Sequence, residues 1–359
     1  MTTIDDILVL IGKGLYEDAL LKVSELDDNL EKVRALSLIA LDIYEKFSDV
    51  SLALELMEDA EYFAKKIKDP FDRVVALSSI ASTYLTIGDK EKGVKLFEKA
   101  LDEALDIEDS GKRVIALGKT SYYMAISGFV DSALEAFDVA FDTLIRSKMD
   151  YTQKTDYLIK LGELLEATGD SLHSNDALSF YERAYDLFDK LHVNIKAAVL
   201  EKKIALAKTM KKTGSPELRK ALLEGRYNYA IAKITNLFRG EEQIIGLLEV
   251  ALWMKRVETS EYKQLIREVL EKMNAVDFSQ DGIGYIATLL TELGSIREAL
   301  VFASKIADIK KKSEALKAIA LELAREKELE DAYRVVEAIP DGEVKEKALQ
   351  ELIEIGAML

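Results

Sequence analysis

Small and apolar residues recur along this chain at i, i+4 and i+7, the spacing that gathers side chains on one face of an α-helix. Ala53/Met57/Ala60, Gly93/Phe97/Ala100, Ala133/Phe137/Ala140 and Ala177/Tyr181/Ala184 are four copies of one set. Small residues at the first and third positions let two helices approach closely, and the larger middle residue fills the space between them. A second helical pattern precedes each set. It opens on Glu31-Lys32-Val33-Arg34-Ala35-Leu36, on Asp72-Arg73-Val74-Val75-Ala76-Leu77 and on Gly111-Lys112-Arg113-Val114-Ile115-Ala116-Leu117, and Ala35, Ala76 and Ala116 lie 41 and 40 residues apart. Gly88, Gly128 and Gly169 keep that interval. Each is expected to close the first helix of a pair, since a helix end commonly needs a residue at positive φ. The pattern predicts helix pairs repeating about every 40 residues. Hairpin signals are missing, and Asp341-Gly342 sits between helical patterns.

Beyond residue 190 the pattern weakens and then returns. Ser215-Pro216-Glu217 reads as a helix start, with Ser as N-cap and Pro in the first turn. Leu222, Gly225, Ala230, Ile234 and Leu237 repeat the spacing of Ile11, Gly14, Ala19, Val23 and Leu26, so both stretches predict pairs with a short first helix. Near the C-terminus Ala315-Leu316 and Ala348-Leu349 are 33 residues apart. Two blocks follow, 1–213 with a period near 40 and 214–359 with a period near 33, without a Gly/Ser-rich linker between them. A chain of 359 residues is long for a single core unless the core grows in one dimension, as stacked repeats allow.

Ile80-Ala81, Tyr84, Gly88-Asp89, Gly93, Phe97 and Ala100-Leu101 resemble the tetratricopeptide consensus in register, and Leu161-Gly162 resembles that family's leucine–glycine pair. The consensus tryptophan is replaced by Leu77, and the terminal proline is missing. The resemblance implies an all-α fold: a right-handed α-solenoid of stacked antiparallel helix pairs, about 8–10 repeats, with helices about a turn longer than in the usual ~34-residue unit.

Candidate chemistry is sparse. The chain has no cysteine and two histidines, which removes disulfides, thiol nucleophiles and thiolate metal sites. His173 falls in a polar stretch, Gly169 to Asp176, that looks like a short insertion between helices; His192 follows a helix end, where a cation suits the dipole. Asp5-Asp6, Asp27-Asp28 and Glu108-Asp109 read as helix starts rather than metal ligands. Gly88-Asp89-Lys90-Glu91-Lys92-Gly93 lacks the Lys-Ser/Thr and the preceding strand of a phosphate loop. No enzyme, metal or cofactor is expected. A signal peptide and an apolar span are missing, so the chain is read as cytoplasmic with no membrane partner. Abundant Lys and Glu without Cys is a thermophile's composition.

The net charge of −16 argues against general binding to nucleic acid. Residues 201–240 nevertheless carry ten basic and three acidic side chains. Lys202, Lys203, Lys211, Lys212, Arg219, Lys220 and Arg226 are the candidate basic patch, flanked by Tyr227 and Tyr229, although the lysines spread around the helix instead of forming a stripe.

The resemblance further implies that the first helices line a concave groove. Its register turns outward Arg34, Ser37, Leu41 and Tyr44; then Val75, Ser78, Ser82 and Leu85; then Ile115, Gly118, Tyr122 and Ala125; then Asp156, Ile159, Glu163 and Glu166. This surface is apolar in the middle and acidic at the fourth pair, and suits a helix or an extended apolar peptide with basic flanks. The expected function is a scaffold or adaptor for a protein partner. Two alternatives stand beside it: a nucleic-acid or regulatory binder using residues 201–240, and a homo-oligomer, such as a homodimer, whose groove is occupied by its own packing.

Overall fold

The structure, a computed structural model, describes residues 3–358. Among them are twenty α-helices and no strand. They are α1 (Ile4–Gly12), α2 (Tyr16–Glu25), α3 (Asn29–Phe47), α4 (Val50–Ala64), α5 (Pro70–Ile87), α6 (Lys90–Leu105), α7 (Ser110–Ile126), α8 (Val130–Arg146), α9 (Tyr151–Ser171), α10 (Ser174–Lys190), α11 (Asn194–Thr209), α12 (Pro216–Leu223), α13 (Tyr227–Leu237), α14 (Gly240–Arg256), α15 (Tyr262–Met273), α16 (Gln280–Leu293), α17 (Ile296–Ser304), α18 (Ile309–Arg325), α19 (Leu329–Glu337) and α20 (Gly342–Met358).

Neighbours in sequence pack as pairs, among them α3 with α4, α5 with α6, α7 with α8, α16 with α17 and α18 with α19. The first helix of one pair also lies against the first helix of the next, through α3, α5, α7 and α9 and again through α14, α16, α18 and α20. This is an α-solenoid: each pair buries its apolar faces against its neighbours along the chain. Contacts divide the chain into two compact units, Met1–Leu172 with Asp176–Glu201, and His173–Asn175 with Lys202–Leu359. The division at Glu201/Lys202 falls within α11.

The first unit follows directly from its repeated residues. Gly93 is buried, and a Cβ there would stand 2.5 Å from Leu85 Cγ; at Gly162 the ring of Phe188 would be 2.7 Å away. Met57, Ile80 and Tyr84 lie within the core, and the rings of Phe137 and Phe180 meet edge to face at 6.1 Å. Aspartates start the helices. Asp28, Asp49, Asp69, Asp89, Asp109 and Asp150 each accept a backbone N–H of the following first turn, and Thr3 with Asp6 forms a capping box on α1. Gly88 ends α5 at φ 111°, as its position predicted.

Gly169 departs from the expectation. It lies inside α9, buried, with the ring of Tyr181 2.5 Å from where a Cβ would be. The residue is small because a ring packs on it, not because the chain turns. Helix α9 therefore runs to Ser171 and α10 starts at Ser174, so the supposed polar insertion is the end of one helix and the start of the next, joined by Leu172-His173.

In the second unit Leu248, Trp253, Ile286, Leu290 and Ile319 share one core, and α14 is buried at every position from Ile244 to Met254. Its shorter period comes out of the second helices. Helices α4, α6 and α8 have 15, 16 and 17 residues, whereas α17 and α19 have 9 each. First helices keep their length, 17 residues in both α7 and α18. The short first helices foreseen from the spacing are α1 and α12, of 9 and 8 residues.

Candidate binding surface

The layer of first helices in the N-terminal unit presents one face that no other helix covers completely. On α7 it carries Lys112, Ile115, Lys119, Tyr122 and Ile126; on α3, Arg34, Leu38, Leu41 and Glu45; on α9, Asp156, Lys160, Glu163 and Ala167, all at least partly exposed. These residues follow i, i+4, i+7 and i+11 or its complement, so the face is rotated from the expected one.

Five residues expected to point outward are buried instead: Ser37, Val75, Ser78, Gly118 and Ala125. They sit where adjacent first helices press together, which is why they are small. A Cβ on Gly118 would meet Leu164 at 2.9 Å. The Ser78 and Thr120 hydroxyls lie 2.9 Å apart across the α5–α7 contact, and Ser78 Oγ also donates to the Val74 carbonyl. Ser37 Oγ has no hydrogen-bond partner among the described residues. Arg34, Leu41, Tyr44, Ser82, Leu85, Tyr122, Glu163 and Glu166 keep at least part of their surface. The Tyr122 ring packs edge to face on Tyr123, with centroids 5.3 Å apart, and Ser82 accepts a hydrogen bond from Ser127 at 2.9 Å.

Between α5, α7 and α9 this layer opens a cavity of about 400 Å³. Phe71, Ile115, Tyr157 and Leu164 form its apolar wall, with Gly111, Lys112, Lys160 and Glu163 around them. Only Ile115 and Glu163 were foreseen. Phe71 was missed because it lies in the first turn of α5, ahead of the repeat positions that set the register, and Tyr157 because it falls between the expected outward positions Asp156 and Ile159.

The electrostatics of this face also differ from the expected apolar-to-acidic gradient. Lys112 donates to Asp69 Oδ2 at 2.7 Å, which holds the Asp69 carboxyl below its usual range. Glu163 is paired with Lys196 at 2.9 Å. Lys160 Nζ rests 4.6 Å from the centre of the Tyr157 ring. Lys119 is half-buried, and burial pushes its ammonium pKa down, with the positive Arg34 adding to the effect. Burial raises the Asp72 carboxyl, helped by the charges of Asp69 and Asp28.

In the C-terminal unit the basic segment does not form one patch. Arg219 is buried, 3% exposed, and donates to the Gly214 carbonyl at 3.1 Å and to Ser174 Oγ at 3.4 Å. Its charge ties down a turn instead of meeting a ligand. Arg226 pairs with Glu224 and lies over the Tyr229 ring at 5.0 Å, and Lys233 pairs with Glu217. Tyr227 packs against the core. Lys202, Lys211, Lys212 and Lys220 are exposed, and Lys203 is partly so.

The turn after α11 is held by a feature the sequence did not signal. The Glu249 carboxylate, fully buried on α14, accepts the backbone N–H groups of Lys212 (2.8 Å) and Thr213 (3.0 Å), the Thr213 hydroxyl (2.7 Å) and the Tyr285 hydroxyl (2.6 Å). Burial pushes its pKa up against the opposing effect of these four donors. His173 and His192 are exposed, the latter at φ 56°. Among the described residues no group of three or more His, Cys, Asp or Glu could hold a metal ion, and no helix is long and apolar enough to cross a membrane.

No family model and no curated protein matches the chain. Among solved structures it is similar to the crystal structure of Ton1535 from Thermococcus onnurineus NA1, with 46% sequence identity and a TM-score of 0.88. The match covers 98% of this chain and 99% of that one.

Proposed function

The chain belongs to the same family as Ton1535, and from that premise we propose that it is a cytoplasmic, tetratricopeptide-like scaffold that holds a segment of another protein on its first-helix layer. The cavity between α5, α7 and α9 carries this reading. Its volume of about 400 Å³ and its wall of Phe71, Ile115, Tyr157 and Leu164 suit the insertion of an apolar side chain. A stack of packed helix pairs offers such a surface ready-made, so binding does not require ordering the receptor. Pairing of Arg226 and Lys233 with glutamates and the burial of Arg219 weigh against the nucleic-acid reading.

Native co-purification followed by mass spectrometry, run on the wild type and on Ile115→Glu, tests the proposal. A protein retained by the wild type and lost by the variant, with both giving the same circular-dichroism melt, is the expected result. Equal retention by the two would remove the cavity from consideration.

A further inference from the structure

We propose that Glu249 is a proton-operated switch: when its carboxylate takes up a proton from solvent, its hydrogen bond with Tyr285 reverses, and the tyrosine turns its own O–H into the cavity beside it. No bond between heavy atoms is made or broken. The carboxylate gains one O–H, and the phenol keeps its own.

The inference starts from a missing counter-charge. Glu249 is the only charged residue in the fully buried run from Ile244 to Met254, and its four donors are all neutral, two peptide N–H groups and two hydroxyls. The charges on the elements around it are engaged elsewhere. Arg256 pairs with Glu292 of α16, Arg219 of α12 binds the Gly214 carbonyl, and Lys212 places its ammonium 6.0 Å from the centre of the Tyr285 ring. Helices α13 and α15 turn only apolar side chains inward. A buried carboxylate without a cation is costly, and a proton relieves that cost. The computed burial effect has the same direction.

The arrangement also selects where the proton goes. Lys212 N–H and the Tyr285 hydroxyl bond to Oε1, while the Thr213 N–H and hydroxyl bond to Oε2. Peptide N–H groups can only donate, so one of the hydroxyls must become the acceptor of the new O–H. Reversal at Thr213 would strand the O–H of a buried residue. Tyr285 is partly exposed and lines a cavity of about 210 Å³ together with Lys212, Thr213, Glu241, Glu242 and Asp281. This cavity has room for several waters, which gives the proton a way in and the displaced O–H an acceptor. Glu241 spends its own carboxylate on the Ser279 N–H and hydroxyl, and Asp281 pairs with Lys311, so neither neutralises Glu249. The Tyr285 side of the cavity therefore changes from accepting to donating as pH falls.

Nuclear magnetic resonance of the full chain, carrying carbon-13 at Glu Cδ and Tyr Cζ, tests this, with Glu249→Gln and Tyr285→Phe assigning the two resonances. Glu249 Cδ is expected to titrate above the ordinary glutamate value of about 4.3, and Tyr285 Cζ to move with the same midpoint. In Glu249→Gln the Tyr285 resonance should stay flat across that range. Tyr285→Phe removes a donor to the charged form and should raise the Glu249 midpoint by roughly half a pH unit or more. That substitution keeps the partly exposed ring, so it decides the matter even where Glu249→Gln does not fold. A Glu249 carboxylate still ionised below about pH 4 would overturn the proposal. So would a Tyr285 resonance that stays in place while Glu249 titrates.

Discussion

The ring of Tyr157 occupies the space where a side chain on Gly111 would have to be: a Cβ there would stand 2.0 Å from the Tyr157 hydroxyl oxygen and 2.2 Å from Cζ. The glycine near the start of α7 therefore lets a tyrosine of α9 lie across the helix, and that ring forms a wall of the cavity. Gly111→Ala must displace the ring. Despite alanine's better helix propensity, the variant is expected to lose about 1–2 kcal/mol, within the range for overpacking. Urea unfolding checks the loss, and a change in Tyr157 side-chain NMR shifts checks its cause.

Ser37 and Ser78 occupy equivalent positions in successive first helices, yet they should respond differently to truncation. Ser37 Oγ is buried without a partner. Ser37→Ala is therefore expected to be neutral or stabilising by about 0.5 kcal/mol, because it removes an unsatisfied hydroxyl and favours the helix. Ser78→Ala loses the contact with Thr120 and should cost about 1 kcal/mol. Thermal melts of the two variants side by side decide the matter; equal shifts would contradict the distinction.

Asp69 gives an acid-sensitive contribution with a clear sign. Its folded pKa is lowered by the Lys112 ammonium and by the backbone donors of Phe71 and Asp72. The stability it contributes is therefore present above the unfolded carboxylate pKa and is lost as pH falls through the folded one. Asp69→Asn keeps an N-cap acceptor but removes the charge. Its melting temperature should lie below the wild type's at pH 7, and the two should converge below about pH 3.

Glu249 has the opposite sign. Burial raises its folded pKa, so the native state holds the extra proton between the unfolded and folded values, and stability declines as pH rises through that window. The melting temperature of the wild type relative to Glu249→Gln should therefore fall on going from pH 4 upward, and then level off. A difference that instead grew with pH would mean that the four donors around the carboxylate outweigh its burial.

Much of the fold was legible because single residues carried single requirements. Gly93 and Gly162 had to be small, Ser215-Pro216 had to start a helix, and the i, i+4, i+7 sets had to face inward. Gly169 was misread because glycine meets two unrelated needs, a positive φ and a close approach, and spacing alone does not separate them. Four residues read as facing outward are buried for a similar reason. Serine, alanine and glycine at 37, 78, 118 and 125 suit a shallow groove and a tight helix contact equally well, and only packing tells which one they serve. Burial of Arg219 and Glu249 depends on turns brought together from distant parts of the second unit, for which one-dimensional patterns hold no sign.

The capping aspartates have a consequence for how such a chain can change over generations. Asp28, Asp49, Asp69, Asp89 and Asp109 begin five consecutive helices at intervals of 20 or 21 residues. Each segment thus arrives with its own start signal, and a duplication or deletion spanning two alternate aspartates would add or remove a whole helix pair without requiring a new helix end. Only the start of α8, where Phe129 stands against Phe97 in place of an aspartate, interrupts the series before Asp150 resumes it. The unit of addition or removal that leaves every helix start intact is thus the pair of about 40 residues from one aspartate to the next but one.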